Sequence, residues 1–139
     1  MQNVEYKIIV LLLFLLAGCK NNITEPMPDY FDNISGRYYS EQGIILLLEH
    51  NGKQINGTAH MDGKNFSVSG HYDKIYKQVF IAGRCYYPQY GEMEVSFILF
   101  ANEQKELRGN FLMQNQFWNT GSQLVYFKFA HELKKAGLL

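Results

Sequence analysis

Residues 54–85 read QINGTAHMDGKNFSVSGHYDKIYKQVFIAGRC, and this stretch decides the fold. The stretch repeats a three-residue pattern of an aliphatic residue, any residue and a glycine. The glycines of the pattern are Gly57, Gly70 and Gly83, with 13 residues from each to the next. That spacing fits one strand and one turn, whereas helical repeats are longer. The same pattern surrounds Gly36 and Gly109. We therefore predict a chain built from repeated β-strands.

Turn signals divide the rest of the chain into strands. Asn51-Gly52 and Asp62–Asn65 are typical hairpin turns, and Pro88–Gly91 and Asn102–Lys105 close later hairpins. Connections this short make neighbouring strands antiparallel, and no helical stretch is long enough for a parallel crossover. The strands are expected near residues 35–40, 43–50, 53–61, 66–73, 78–87, 92–101, 106–114 and 122–131. The predicted fold class is all-β, a small antiparallel eight-stranded up-and-down meander barrel.

The two-residue period of a strand separates a dry face from a wet one. The aliphatic, glycine and aromatic positions of the repeat share the dry face. The polar positions on the other face are Gln54, Asn56, Thr58, Ser67, Ser69, His71, Arg84, Arg108 and Asn110. Glycine on the dry face lets a tightly coiled sheet bend, and closure removes exposed sheet edges. Both points favour a closed barrel.

Six aromatic residues and two methionines form the candidate interior. They are Tyr38, Phe66, Tyr72, Met93, Phe97, Phe111, Met113 and Tyr126. An eight-stranded barrel either packs its interior solid or keeps room for one small ligand, so a core and an apolar ligand pocket are both open interpretations. The opposite face is predicted to carry Ile45, Leu47, Ile98, Leu112, Val125 and Phe127. Apolar residues there indicate that another segment or a partner covers part of the outer surface.

The loop Asn115–Asn119 places two large aromatic residues, Phe117 and Trp118, at a predicted end of the barrel. Two interpretations are open. The pair is either a lid that plugs the barrel or an anchor that a protein partner binds.

The first 19 residues have the pattern of a targeting segment. Lys7 precedes an apolar run over residues 8–16, and Ala17-Gly18-Cys19 follows directly. The run is too short to span a bilayer and matches the apolar core of a signal peptide. Leu16-Ala17-Gly18-Cys19 resembles the bacterial lipobox. That resemblance implies a lipoprotein whose Cys19 carries palmitate-type acyl chains that anchor it to a membrane.

The resemblance also implies a location and a domain order. The protein is expected in the bacterial cell envelope, and Lys20 after the cysteine favours the outer membrane, on either face. Residues 1–18 are then the signal peptide, 19–33 the lipidated cysteine and a tether, 34–131 the barrel and 132–139 a C-terminal tail.

Composition excludes several functional classes. The chain has 13 Lys and Arg against 13 Asp and Glu, so it lacks the positive charge of a nucleic-acid-binding protein. Its 19% charged and 15% aromatic content argues against disorder. Once Cys19 is acylated, Cys85 is the one remaining thiol, and a buried apolar role is expected for it.

No residue pattern for catalysis or metal binding is present. Pairing Gly57 with Gly70 would place His60 opposite Ser67 and His71 opposite Asn56, so the two imidazoles are not partners. The Gly-x-Ser-x-Gly and His-Glu-x-x-His signatures are missing. We therefore predict that the protein is not an enzyme and that it uses no cofactor and no metal.

The start of the predicted barrel resembles a known family. Gly36-Arg37-Tyr38-Tyr39, then Asn51-Gly52 and Asn56-Gly57-Thr58, resembles the first three strands of avidin-type barrels, and the Gly-x-aromatic start resembles lipocalins. The resemblance implies a calycin-type meander barrel. It would place the biotin-contacting polar positions at Ser40, Ile44 and Ala59, of which only Ser40 keeps a hydrogen-bonding side chain.

The predicted function is that of a lipid-anchored, non-catalytic envelope lipoprotein that binds a small apolar ligand or a protein partner. One alternative is a proteinaceous lysozyme-type inhibitor, because Ser35–Tyr39 loosely resembles a Ser-Gly-x-Arg-Tyr stretch of such a family. The other is a structural envelope component without a ligand.

Overall fold

A computed structural model describes residues 30–130, which form one closed sheet. A 3-10 turn at Tyr30–Asp32 precedes β1 (Gly36–Ser40), β2 (Ile45–Asn51), β3 (Gln54–Met61), β4 (Lys64–Asp73), β5 (Gln78–Tyr87), β6 (Gly91–Ala101), β7 (Leu107–Gln114) and β8 (Gln123–Phe129). Each strand pairs antiparallel with the next, and β8 pairs with β1. The predicted all-β up-and-down barrel is confirmed. Cys19, the predicted signal peptide and the predicted tail 132–139 lie outside the described residues.

The connections alternate between two ends of the barrel, as up-and-down topology requires. One end, which we call the base, carries the incoming residues 30–35 and the turns at 52–53, 74–77 and 102–106. The opposite end, the rim, carries the connections at 41–44, 62–63, 88–90 and 115–122. The described chain therefore joins the barrel at its base.

The repeated glycines mark the places where the sheet coils most tightly. A Cβ atom at Gly70 would fall on the carbonyl oxygen of Phe80 in the adjacent strand and 2.8 Å from the Cα of Ile81. At Gly57 and Gly109 a Cβ would likewise fall on a carbonyl oxygen of the neighbouring strand. Backbones this close leave no room for a side chain. The repeat thus reflects barrel coiling as well as strand length.

The β3–β4 hairpin has a shorter turn than the sequence predicted. Asp62 and Gly63 form it, with φ angles of 53° and 74°, and positive φ at both positions is typical of a type I′ turn. The predicted four-residue turn and the pairing of Gly57 with Gly70 were wrong, because Gly57 pairs with Val68. A slip of two residues keeps every side chain on its face, so the predicted faces stay correct.

The structure corrects the two faces of β8. Val125 and Phe127, predicted outside, are buried, and Tyr126, predicted inside, lies on the outer surface. Residues 124–127 are all apolar or aromatic, so alternation does not identify the inner face. Pairing with β7 decides it, because Val125 lies opposite the inward-facing Gly109.

Residues 30–33, predicted as part of the tether, instead pack against the base. Phe31 is buried, and the ammonium of Lys77 lies 4.0 Å from the centre of its ring. The hydroxyl groups of Tyr30 and Tyr38 are 2.8 Å apart. The folded unit therefore begins by Tyr30, earlier than the predicted boundary at residue 34.

Candidate binding rim

Side chains fill the interior of the barrel. Three of the eight predicted interior residues have no exposed area and three more are at most 7% exposed. Tyr38, Met93 and Phe97 are the three with no exposed area, and Phe66, Tyr72 and Phe111 are the three at most 7% exposed. A side chain with no exposed area borders no space large enough for a water molecule. Met113 is half-buried and Tyr126 lies outside. The structure thus brings five of the eight residues together in one packed core, with Met113 packed against it, while Met93 is buried outside that cluster.

Hydrogen bonds close the base of the barrel. The Tyr38 hydroxyl donates to the Ile34 carbonyl at 2.6 Å and accepts from the Tyr30 hydroxyl. The imidazole of His50 accepts from the Ile34 N–H through Nδ1 at 3.1 Å and donates to the Gly52 carbonyl through Nε2 at 2.5 Å. These hydrogen bonds make the base a structural closure of the barrel.

Burial keeps both phenols of this closure neutral. Desolvation raises the pKa of Tyr30 to about 12, although its hydrogen bond to Tyr38 acts in the opposite direction. Desolvation raises the pKa of Tyr38 further, and the neighbouring Tyr30 adds to the increase. At the rim, burial and then the hydrogen bond to Asp62 raise the pKa of Tyr87. All three groups therefore act as neutral hydrogen-bonding side chains.

The rim carries an ordered aromatic cluster. The rings of Trp118 and Tyr90 stack with centroids 4.9 Å apart and planes 21° apart. Trp118 is 47% exposed, and the adjacent Phe117 is 87% exposed. Phe117 therefore projects into solvent and does not plug the barrel. The exposure of Phe117 is inconsistent with the lid interpretation for this residue.

Asn115 holds this cluster in place. Its Oδ1 accepts hydrogen bonds from the backbone N–H groups of Phe117 at 2.8 Å and Trp118 at 2.7 Å. Its Nδ2 donates to the carbonyl of Tyr90 at 2.7 Å, which joins the 115–122 loop to the β5–β6 turn. Sequence reasoning named Phe117 and Trp118 but missed Asn115 and Tyr90. The sequence did carry a signal for them, because the β5–β6 and β7–β8 connections of an up-and-down meander lie at the same end of the barrel.

A polar concave surface of about 310 Å³ adjoins the loop on the outer face. Arg84, Glu94 and Gln114 form one row across β5, β6 and β7, and Glu92 follows two residues from Glu94 towards the rim. Asn115 completes its lining. Carboxylates outnumber the one cation here, so this flank favours contact with basic groups.

A larger groove of about 910 Å³ runs along the outside of β6 to β8. Phe100, Leu124 and Tyr126 are its apolar walls, and the guanidinium of Arg108 lies 4.5 Å from the centre of the Tyr126 ring. The backbone of Gly109 lines it as well. This groove is an open, partly apolar surface on the side of the barrel.

The histidines and the cysteine have ordinary packing partners. His60 Nδ1 is 2.7 Å from the Asn65 side-chain oxygen, and His71 stacks on Phe80 at 5.4 Å. Cys85 is buried with a free thiol. Nowhere between residues 30 and 130 do three or more His, Cys, Asp or Glu side chains gather as metal ligands would. Within the same residues, no helical structure has the length and apolar character of a membrane span.

The fold and the rim together define a small closed antiparallel β-barrel with a packed interior, an architecture consistent with the calycin type. No protein-family model, no curated protein and no solved structure matches the chain. The avidin-like positions are internal: Ile44 and Ala59 are buried, and the Ser40 hydroxyl accepts from the Ile44 N–H at 3.1 Å.

Proposed function

We propose that this chain is a lipid-anchored, non-catalytic module of the bacterial cell envelope that binds a protein partner through its aromatic rim. The observation that carries the proposal is the ordered exposure of Phe117, whose ring is in solvent while Asn115 fixes the backbone beneath it. Burying such a ring contributes about 1.5–3 kcal/mol, which the isolated barrel does not gain. Central aromatic anchors of this kind dominate protein interfaces.

The surroundings of the rim indicate the chemistry of the partner. Phe117 and the exposed part of Trp118 require an apolar pocket, and the flank below them carries Glu92 and Glu94. Opposite charges around an apolar centre increase specificity and the rate of association. The partner is therefore expected to present an apolar pocket bordered by Lys or Arg.

The position of the proposed anchor agrees with this use of the rim. Residue 30 joins the barrel at the base, so a lipid on Cys19 would be connected to the end opposite Phe117. Two or three acyl chains hold a protein on a membrane without a spanning helix. Anchorage from the base would leave the rim accessible to a partner. The lipobox resemblance, through Lys20, implies that the membrane is the outer membrane.

Labelled palmitate tests the anchor. The wild-type chain expressed in a bacterium should incorporate the label and fractionate with membranes. Cys19→Ala should lose both, because acylation requires the thiol, and Cys85→Ala is the matched control that should keep both. Equal labelling of wild type and Cys19→Ala would contradict the proposed anchor.

Crosslinking in cells tests the rim. A photoreactive phenylalanine at Phe117 should give a discrete adduct with one protein, and Trp118→Ser should abolish the adduct by removing the ring that stacks on Tyr90. The matched control carries the photoreactive residue at Leu124, which is equally accessible but lies in the side groove. An adduct at position 124 and none at 117 would contradict the rim and favour the groove.

The groove supports the second candidate function, binding of a small apolar ligand, because its walls are apolar and its volume suits such a molecule. A lysozyme-type inhibitor would be one form of the protein-binding module. The Ser35–Tyr39 stretch that motivated it lies mainly in β1, where Tyr38 is buried and Arg37 is exposed.

A further inference from the structure

The β4–β5 turn at the base exposes two apolar side chains between two lysines. Its sequence is Lys74-Ile75-Tyr76-Lys77, and the exposed fractions are 85% for Ile75 and 72% for Tyr76. Both exceed the exposure of any apolar side chain on the barrel wall except Leu124. An aliphatic and an aromatic residue flanked by lysines are typical of a segment at a membrane interface.

The turn is held in this form by its own hydrogen bonds. The Asp73 carboxylate accepts from the backbone N–H of Ile75 at 2.9 Å and of Tyr76 at 3.2 Å. The Lys77 carbonyl accepts from the Ala101 N–H at 2.8 Å, which joins the turn to the end of β6. These hydrogen bonds fix the turn in a form in which the side chains of Ile75 and Tyr76 project into solvent.

The turn also contacts the incoming chain. Lys74 forms an ion pair with Asp32, and Lys77 lies over the ring of Phe31. The proposed lipid on Cys19 lies on the same chain, 11 residues before Tyr30. A chain of that length spans about 40 Å at most, so an acylated chain keeps the base near the bilayer.

Charge is distributed unevenly between the two halves of the described barrel. The half nearer the base has seven cationic side chains against five anionic ones, and the half nearer the rim has two against four. The cations near the base are Arg37, Lys53, Lys74, Lys77, Lys105, Arg108 and Lys128, and the anions are Asp32, Glu49, Asp73, Glu103 and Glu106. An anionic surface would attract the base and repel the rim.

We propose that the Lys74–Lys77 turn is a membrane-docking loop, with Ile75 and Tyr76 in the interfacial layer of an anionic bilayer. The inference rests on the proposed lipid anchor and adds a fixed orientation to it. In this orientation the base of the barrel faces the bilayer, and Phe117 points away from it. The lipid anchor by itself would not fix an orientation.

Fluorescence quenching by brominated lipids tests this orientation, because Trp118 is the only tryptophan of the chain. The full lipidated protein is placed in vesicles of phosphatidylethanolamine and phosphatidylglycerol with brominated acyl chains. In wild type, Trp118 at the rim should show no quenching. In Gln104→Trp combined with Trp118→Phe, the probe lies in the neighbouring 102–106 turn at the base and should be quenched.

Removal of the loop's apolar pair is the decisive comparison. Adding Ile75→Ser and Tyr76→Ser should abolish the quenching at position 104, whereas Leu124→Ser, an equally exposed apolar residue on the barrel wall, should preserve it. A protein that floats with the vesicles yet shows no quenching at position 104 overturns the docking loop alone. A protein that does not float with them contradicts the anchor and the loop together.

Discussion

Gly70→Ala should be among the most destabilising single substitutions in this protein, with a loss of about 4 kcal/mol or more in the free energy of unfolding. The new methyl group would fall on the Phe80 carbonyl oxygen and press on the Cα of Ile81. Both are backbone atoms of β5, held by the ladder in which Gly70 pairs with Ile81. A flexible side chain could move aside, but here two strands must separate. The measurement is urea unfolding of the purified protein.

Gly52→Asn is the matched control for this effect. Gly52 lies in the β2–β3 turn with a φ of 64°, and a Cβ there would meet nothing within 4 Å. Asparagine tolerates this conformation better than other non-glycine residues, so we expect a change of about 1 kcal/mol or less. Similar losses for the two variants would contradict the explanation by close strand approach.

Phe97→Ala should cost about 3–5 kcal/mol and open a cavity inside the barrel. The Phe97 ring has no exposed area and packs against Phe111 at 5.9 Å and Phe127 at 6.1 Å between ring centroids. These neighbours belong to β7 and β8, which are held by strand pairing and cannot collapse fully into the vacated space. Urea unfolding measures the loss, and xenon or benzene binding measures the cavity, because a dry apolar cavity takes up such probes.

The same substitution tests whether the native interior is filled. Wild type should take up no probe in its interior, and Phe97→Ala should bind it among the remaining rings. Phe100→Ala is the control, because Phe100 lies on the same strand but on the outer face and should cost about 1 kcal/mol or less. Interior binding of benzene by wild type would reinstate a ligand pocket in the barrel.

The candidate site was predicted in part. Large aromatic residues in a polar loop, Phe117 and Trp118, were recognisable from sequence as a rim feature. Their arrangement was not, because it depends on Tyr90 from another hairpin and on the three hydrogen bonds of Asn115. Likewise, Ile75 and Tyr76 look like ordinary strand-flanking residues until the topology places them beside the incoming chain.

The amino-acid sequence by itself determined the number of strands, their antiparallel order and the faces of those with strict alternation. These features follow from short turns and a two-residue period, which act between residues close in the chain. Tertiary structure decided the partner of Gly57, the inner face of β8, the docking of residues 30–33 and the filling of the interior. Each of these depends on contacts between residues far apart in sequence, whose strength is known only when the closed sheet has brought them together.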